Sequence, residues 1–116
     1  MADSPLDRLH AILRANFSNL NFRREVIGAW LNFYVLARTV PEAKRLLNIC
    51  QRRLHANLVH DLRKLVGARA EATAHRIAAM IDGVYIRQAL RDGAPDGAAA
   101  ADMMLHLLTL ELDKRP

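Results

Sequence analysis

Cysteine is almost missing from this chain. Cys50 stands alone, so no internal disulfide can form, which suits a reducing cytoplasm. On the apolar stripe of its helix, with no histidine on the same face, it reads as a packed thiol. Strand signals are missing too. Valine and isoleucine are few beside alanine and leucine, and strict apolar–polar alternation never persists. The opening MADSPLDR lacks the basic-then-apolar layout of a signal peptide. The longest uncharged run, Val26 to Ala37, falls short of the roughly 20 residues that span a bilayer. Catalytic signatures are lacking as well. There is no glycine-rich phosphate loop, and Ser4 and Ser18 sit at helix ends rather than in a nucleophile elbow. Of the five histidines, His55 and His60 lie about 140° apart around a helix and cannot chelate one ion together; none forms an HxxxH or HxxE pair. These absences exclude a membrane span and leave no basis for an enzyme, a metal site or a cofactor.

What remains is helical. With 116 residues the chain is one domain with one core. Its net charge of +5 is spread among acids on helix surfaces, which makes it a weak argument for nucleic-acid binding. Five helices can be placed. The first runs from about Ser4, a good N-cap before Pro5, to Phe17, with Leu6, Leu9, Leu13 and Phe17 inward. Ser18-Asn19 and Asn21 mark a break. The second, about Phe22 to Arg38, is apolar on nearly every side and is expected at the buried centre. The third runs from Pro41 to about Val66, where Gly67 can end it; Leu47, Cys50, Leu54, Leu58, Leu62 and Leu65 form its core stripe. The fourth spans about Arg69 to Arg91. The Gly93 to Gly97 turn then leads to a fifth, about Ala98 to Leu112.

The stretch from His75 to Leu90 has two apolar faces. Ala74, Ile77, Ala78, Ile81, Tyr85 and Gln88 recur at three- and four-residue steps on one side; Ala79, Met80, Gly83, Arg87 and Leu90 line another. A surface helix needs one stripe, so the second face calls for a partner. Gly83 costs roughly 1 kcal/mol of helix propensity against alanine, which the approach of another backbone would explain. The fifth helix has the same surplus, including Met103, Leu107 and Leu110. Two such antiparallel pairs make a four-helix bundle about a two-fold axis, that is, a homodimer; otherwise the surplus surface covers helices of the same chain.

Aromatics are scarce: one tryptophan, two tyrosines and three phenylalanines. Trp30, Phe33 and Tyr34 nevertheless share one side of the second helix, extended by Phe22 and Val26, and Tyr85 projects from the core face of the fourth. A cage of ring faces holds a quaternary ammonium ion, which has no N–H to donate. Asp82, flanking that core face, can supply countercharge, or it can cap, or pair with Arg87 or an arginine of the third helix. Aromatics at helical spacing also read simply as core.

Three segments carry a family resemblance. IDGVYIRQAL (81–90), AWLNFY (29–34) and RRLHANL (52–58) stand in the same order as in TetR-family repressors of the choline-responsive, BetI type, and the likeness runs from about Pro5 to Leu112. It implies an all-α, five-helix C-terminal domain occupying residues 1–116, dimerised through its last two helices into a four-helix bundle. It also implies a function: binding choline or a related quaternary ammonium effector to control glycine betaine synthesis genes. Trp30, Phe33, Tyr34, Tyr85 and Asp82 would then line the ligand site, and Ala79, Met80, Gly83, Arg87, Leu90, Met103, Leu107 and Leu110 the dimer interface. In the family a helix-turn-helix domain of about fifty residues comes first and reads DNA. The chain is expected to begin at the first helix of the regulatory domain, so DNA is a partner only through that other domain. Tyr34 and Tyr85 stand where the subfamily usually carries tryptophan, and tyrosine holds a cation less strongly. A second reading is a stand-alone dimerisation module that pairs with a full-length repressor and binds no ligand.

Overall fold

Five helices and no strand make up the described residues, 4–18 and 22–113, of the computed structural model. The expected break at Asn19 and Asn21 lies outside them. Helix α1 (Pro5–Asn16) starts where the sequence signals it: the Ser4 hydroxyl accepts the Asp7 N–H at 3.0 Å, and Pro5 takes a position whose N–H would go unused. Leu9, Leu13 and Phe17 are buried, whereas Leu6, expected inside with them, is exposed at the outer end of the stripe.

Helix α2 (Arg24–Leu36) departs furthest from expectation. It is not the buried centre. Of its side chains only Ile27 is fully buried, and Val35 and Leu36 stand out in solvent, because α2 lies at one edge against α3 and α4. An apolar circumference shows that a helix can be covered on every side; it does not supply the neighbours.

The centre belongs instead to α3 (Pro41–Val66) and α4 (Ala70–Leu90), joined by the short 3-10 turn Gly67–Arg69. Gly67 ends α3 with a φ of 58°, a conformation that L side chains rarely adopt. Leu58 and Leu62 are fully buried. Leu47 and Leu54 are half-buried, and Leu65 and Cys50 are exposed rather than packed. At 26 residues α3 is longer than α1 or α4, the helices it packs against most, so neither covers its whole length.

Helix α4 buries Ala70, Thr73, Ala74, Ile77, Ile81, Val84 and Tyr85, an inner face at three- and four-residue steps. Helix α5 (Gly97–Leu112) begins one residue earlier than expected, because the Asp96 carboxylate caps it by accepting the Ala99 N–H at 3.0 Å. The two helices run antiparallel: Gln88 accepts the Asp96 N–H near the turn, and Arg76 reaches Glu111 at the far end. Two buried carboxylates tie helices together. Asp61 of α3 accepts from Arg8 Nε of α1 at 2.8 Å, and Glu111 of α5 accepts from Arg76 of α4 at 2.7–2.8 Å. Neither pair was visible in the sequence. No helix among the described residues is long and apolar enough to cross a membrane.

Candidate functional site

A cavity of about 480 Å³ opens where α1, α2, α3 and α4 meet. Helix α2 contributes Trp30 and Tyr34, one turn apart and so on one side of it. Cys50, Arg53 and Leu54 line the α3 wall, Ile81, Asp82 and Tyr85 the α4 wall, and Ile12 and Asn16 the floor from α1. Four of the five expected ligand-site residues therefore border one space. Phe33 does not; its ring stands edge-on to Trp30 at 5.9 Å, outside the lining.

The aromatic residues fall into two groups. Trp30, Phe33 and Tyr34 form the first, with the Trp30 and Tyr34 ring centroids 6.0 Å apart. Phe17, Phe22 and Tyr85 form the second, with centroids 5.1–5.6 Å apart inside the core. Phe22 thus packs against α1 and α4 rather than extending the Trp30 side, and half-buried Val26 does not reach the cavity. Tyr85 belongs to both regions: its ring is core, its edge borders the cavity, and its hydroxyl donates to the Asn16 carbonyl at 2.7 Å.

Asp82 is the acid of the site. Tyr34 donates its hydroxyl to Asp82 Oδ1 at 3.3 Å, and no cation pairs with that carboxylate among the described residues. The structure gives Asp82 a bond the sequence did not anticipate, to Tyr34, and no pairing with Arg87 or an α3 arginine among the described residues. Burial lifts the Asp82 carboxyl above its ordinary value, partly offset by the Tyr34 bond. Burial, reinforced by the Asp82 charge, pushes the Tyr34 phenol up to about 12. Tyr85 moves in the same direction for the same two reasons. Both phenols stay neutral near pH 7, so the site offers three rings, Trp30, Tyr34 and Tyr85, and one acid without a cationic partner among the described residues. That combination can hold a positive charge.

Cys50 and Arg53 were missed as lining residues. The apolar stripe assigned Cys50 to the core, and nothing in the sequence placed Arg53 on the cavity wall. The sequence did not show that the His55 and His75 rings lie side by side across α3 and α4, with centroids 4.4 Å apart.

Of the expected interface residues, Met80 and Leu107 pack partly against the core of the chain, and the others lie on the outer sides of α4 and α5. Leu90 is 80% exposed, Met103 53% and Leu110 52%; Ala79 and Arg87 are exposed, and Met80, Gly83 and Leu107 are half-buried. Ile86, exposed on the same side of α4, was missed. Beside Gly83 a Cβ would meet nothing within 4 Å, so no packing inside the chain demands glycine there.

Comparison with known proteins agrees with this architecture. Residues 5–113 match the family model described as BetI-type transcriptional repressor, C-terminal. A Brucella canis protein named HTH-type transcriptional regulator BetI is 46% identical over 116 residues, covering 99% of this chain and 59% of the relative. Proteins of the same name from Brucella anthropi and Agrobacterium fabrum are 43% and 42% identical, over 95% and 90% of this chain and 57% and 50% of their own lengths. The chain thus spans somewhat over half the length of the curated relatives it matches most fully. No solved structure matches. The relatives are named as regulators, not enzymes. All-helical, and matched from the start of α1 to just beyond the end of α5, the chain belongs to the BetI-type transcriptional repressors of the TetR family, as their C-terminal domain.

Proposed function

We propose that residues 1–116 form the effector-binding and dimerisation domain of a cytoplasmic repressor, with the cavity taking choline or a related quaternary ammonium compound. One observation carries this reading: Trp30 and Tyr34 border one cavity with Asp82, a partly buried acid that no cation of the described residues neutralises. Each ring face contributes about 0.5–2 kcal/mol to holding a cation, depending on desolvation. The exposed outer sides of α4 and α5 support a two-fold pairing with a second copy. DNA would be bound by a helix-turn-helix domain outside these residues, as the relatives' names suggest for them. An effector would then act by binding one arrangement of the dimer better than another.

Calorimetric titration of choline and betaine aldehyde tests the site. Saturable binding is expected, weakened about tenfold or more in Trp30→Ala. Affinity is also expected to fall on acidification. The Asp82 carboxyl is raised in the folded chain, so the stability its proton gives the empty domain is present at low pH and lost as pH rises through the folded value. Proton and cation thus compete for one carboxylate, and binding should weaken at a higher pH than a free aspartate, of pKa about 3.9, would dictate. Absence of heat with either ligand, or binding indifferent to Trp30→Ala, would remove the cage.

The pairing has its own test. Gly83→Leu places a branched side chain where two α4 backbones are proposed to meet, and light scattering is expected to show monomers. A dimer mass unchanged by the substitution would place the interface elsewhere.

The second reading, a dimerisation module without a ligand, draws on the Tyr85 ring, which packs as core with Phe17 and Phe22. It predicts capture of a full-length relative by the chain in a mixed-subunit pull-down, with choline titrations silent.

A further inference from the structure

The proposed effector cavity carries both signs of charge. Asp82 lines the α4 wall and Arg53 the α3 wall. They do not pair with each other, and among the described residues no acid pairs with Arg53; the three ion pairs use Arg8, Arg63 and Arg76. Arg53 lies three residues beyond Cys50, and both line the cavity with Tyr34. Positions three apart on a helix hold their Cβ atoms about 5–6 Å from one another. Arg53 thus stands one helical turn from Cys50 on the α3 wall and borders the same space as the acid and the rings. Asn16 and Gln51 add neutral polar groups to the lining.

A plain cation uses only half of this arrangement, and Arg53 opposes its entry. A planar guanidinium offers paired N–H donors that match a carboxylate or a phosphate. We infer that the cavity selects a zwitterion, with a quaternary ammonium group against Trp30, Tyr34 and Asp82 and a carboxylate or phosphate a few bonds away on Arg53. The inference rests on the cage reading above and adds the substrate class.

Three probes test it by calorimetry: choline, which is only a cation; glycine betaine, which adds a carboxylate; and phosphocholine, which adds a phosphate. At least one zwitterion is expected to bind about tenfold or more tightly than choline, and which one does so identifies the anion. Arg53→Gln is expected to erase that advantage and to tighten choline, whose entry Arg53 opposes; Arg53 is exposed, so the fold should survive the change. Choline binding as tightly as both zwitterions, or Arg53→Gln weakening all three alike, overturns the inference. In either case the cage still stands if Trp30→Ala weakens choline. No binding of any probe overturns both.

Discussion

Gly97→Ala should be the costliest addition of a single methyl group in this domain. A Cβ at Gly97 would lie well inside 3.0 Å of the Phe17 carbonyl oxygen, with the Phe22 ring a further 3.5 Å contact. The obstacle is main chain at the end of α1, which cannot rotate aside as a side chain can. Either α5 shifts away from α1 or the Phe17 backbone does, and both movements open the core around Phe17, Ala100 and Met104. Overpacking of this kind costs typically about 1–3 kcal/mol, and a backbone obstacle belongs at the upper end. For a domain of this size that is a fall in Tm of roughly 10 °C. Gly28, in the middle of α2, supplies the control: a Cβ there meets nothing within 4 Å, so Gly28→Ala should gain the helix propensity of alanine, up to about 1 kcal/mol. Thermal melts of the two variants should move in opposite directions. A Gly97→Ala protein as stable as the parent would show that α1 and α5 are not held at this spacing.

Arg8→Met is expected to have the second large effect. Asp61 is 3% exposed, and its carboxylate is bonded to Arg8 alone among the described residues. Removing the guanidinium strands a charge in the α1–α3 interface. Breaking a fully buried pair costs about 3–5 kcal/mol. The Arg8 side chain is 36% exposed, and a cleft bordered by Arg8, Asn57 and His60 lets water approach, so about 2–3 kcal/mol is the expected loss. Replacing both partners, Arg8→Met with Asp61→Leu, leaves no stranded group and should restore most of it. Urea unfolding of the two single variants and the double variant forms a double-mutant cycle. A double variant as unstable as the sum of the singles would mean that the two residues act independently.

Local chemistry announced most of this fold. Ser4 before Pro5, Pro41 after Val40 and Gly67 after Val66 each mark a helix end through the backbone groups it leaves unpaired, and those ends stand within a residue or two of where the sequence put them. Three- and four-residue spacing picked out Leu9 and Leu13 in α1, Leu58 and Leu62 in α3, and Ile77, Ile81 and Tyr85 in α4. Spacing says which side of a helix is apolar and nothing about where its neighbours stop. That is why α2 was misplaced at the centre and why Leu6, Cys50 and Leu65 were placed inside. Contacts between distant parts of the chain were invisible for a similar reason. Arg8 and Asp61 are separated by 53 positions, and Gly97 read as turn chemistry when its reason is the Phe17 carbonyl. For the ligand site, the i, i+4 step of Trp30 and Tyr34 was legible, but which rings border empty space depends on helix crossing. Phe33 and Arg53 therefore exchanged places between expectation and structure.

The shallow seating of α2 has a thermodynamic consequence. A helix with one fully buried side chain lets go at low cost, so its amides should exchange with solvent well before those of α3 and α4. Yet α2 carries Trp30 and Tyr34, and its first turn reaches the α4–α5 turn, where the Arg24 guanidinium donates to the carbonyl of Gly93. Any molecule that bridges Trp30 to Asp82 fastens this loosest element to the most rigid one. Part of its affinity is forfeited to the lost freedom of α2, and what the fastening gains is felt at the α4–α5 turn. Slowed deuterium uptake along Arg24–Leu36 would record that transfer of order from the cavity to the α4–α5 turn.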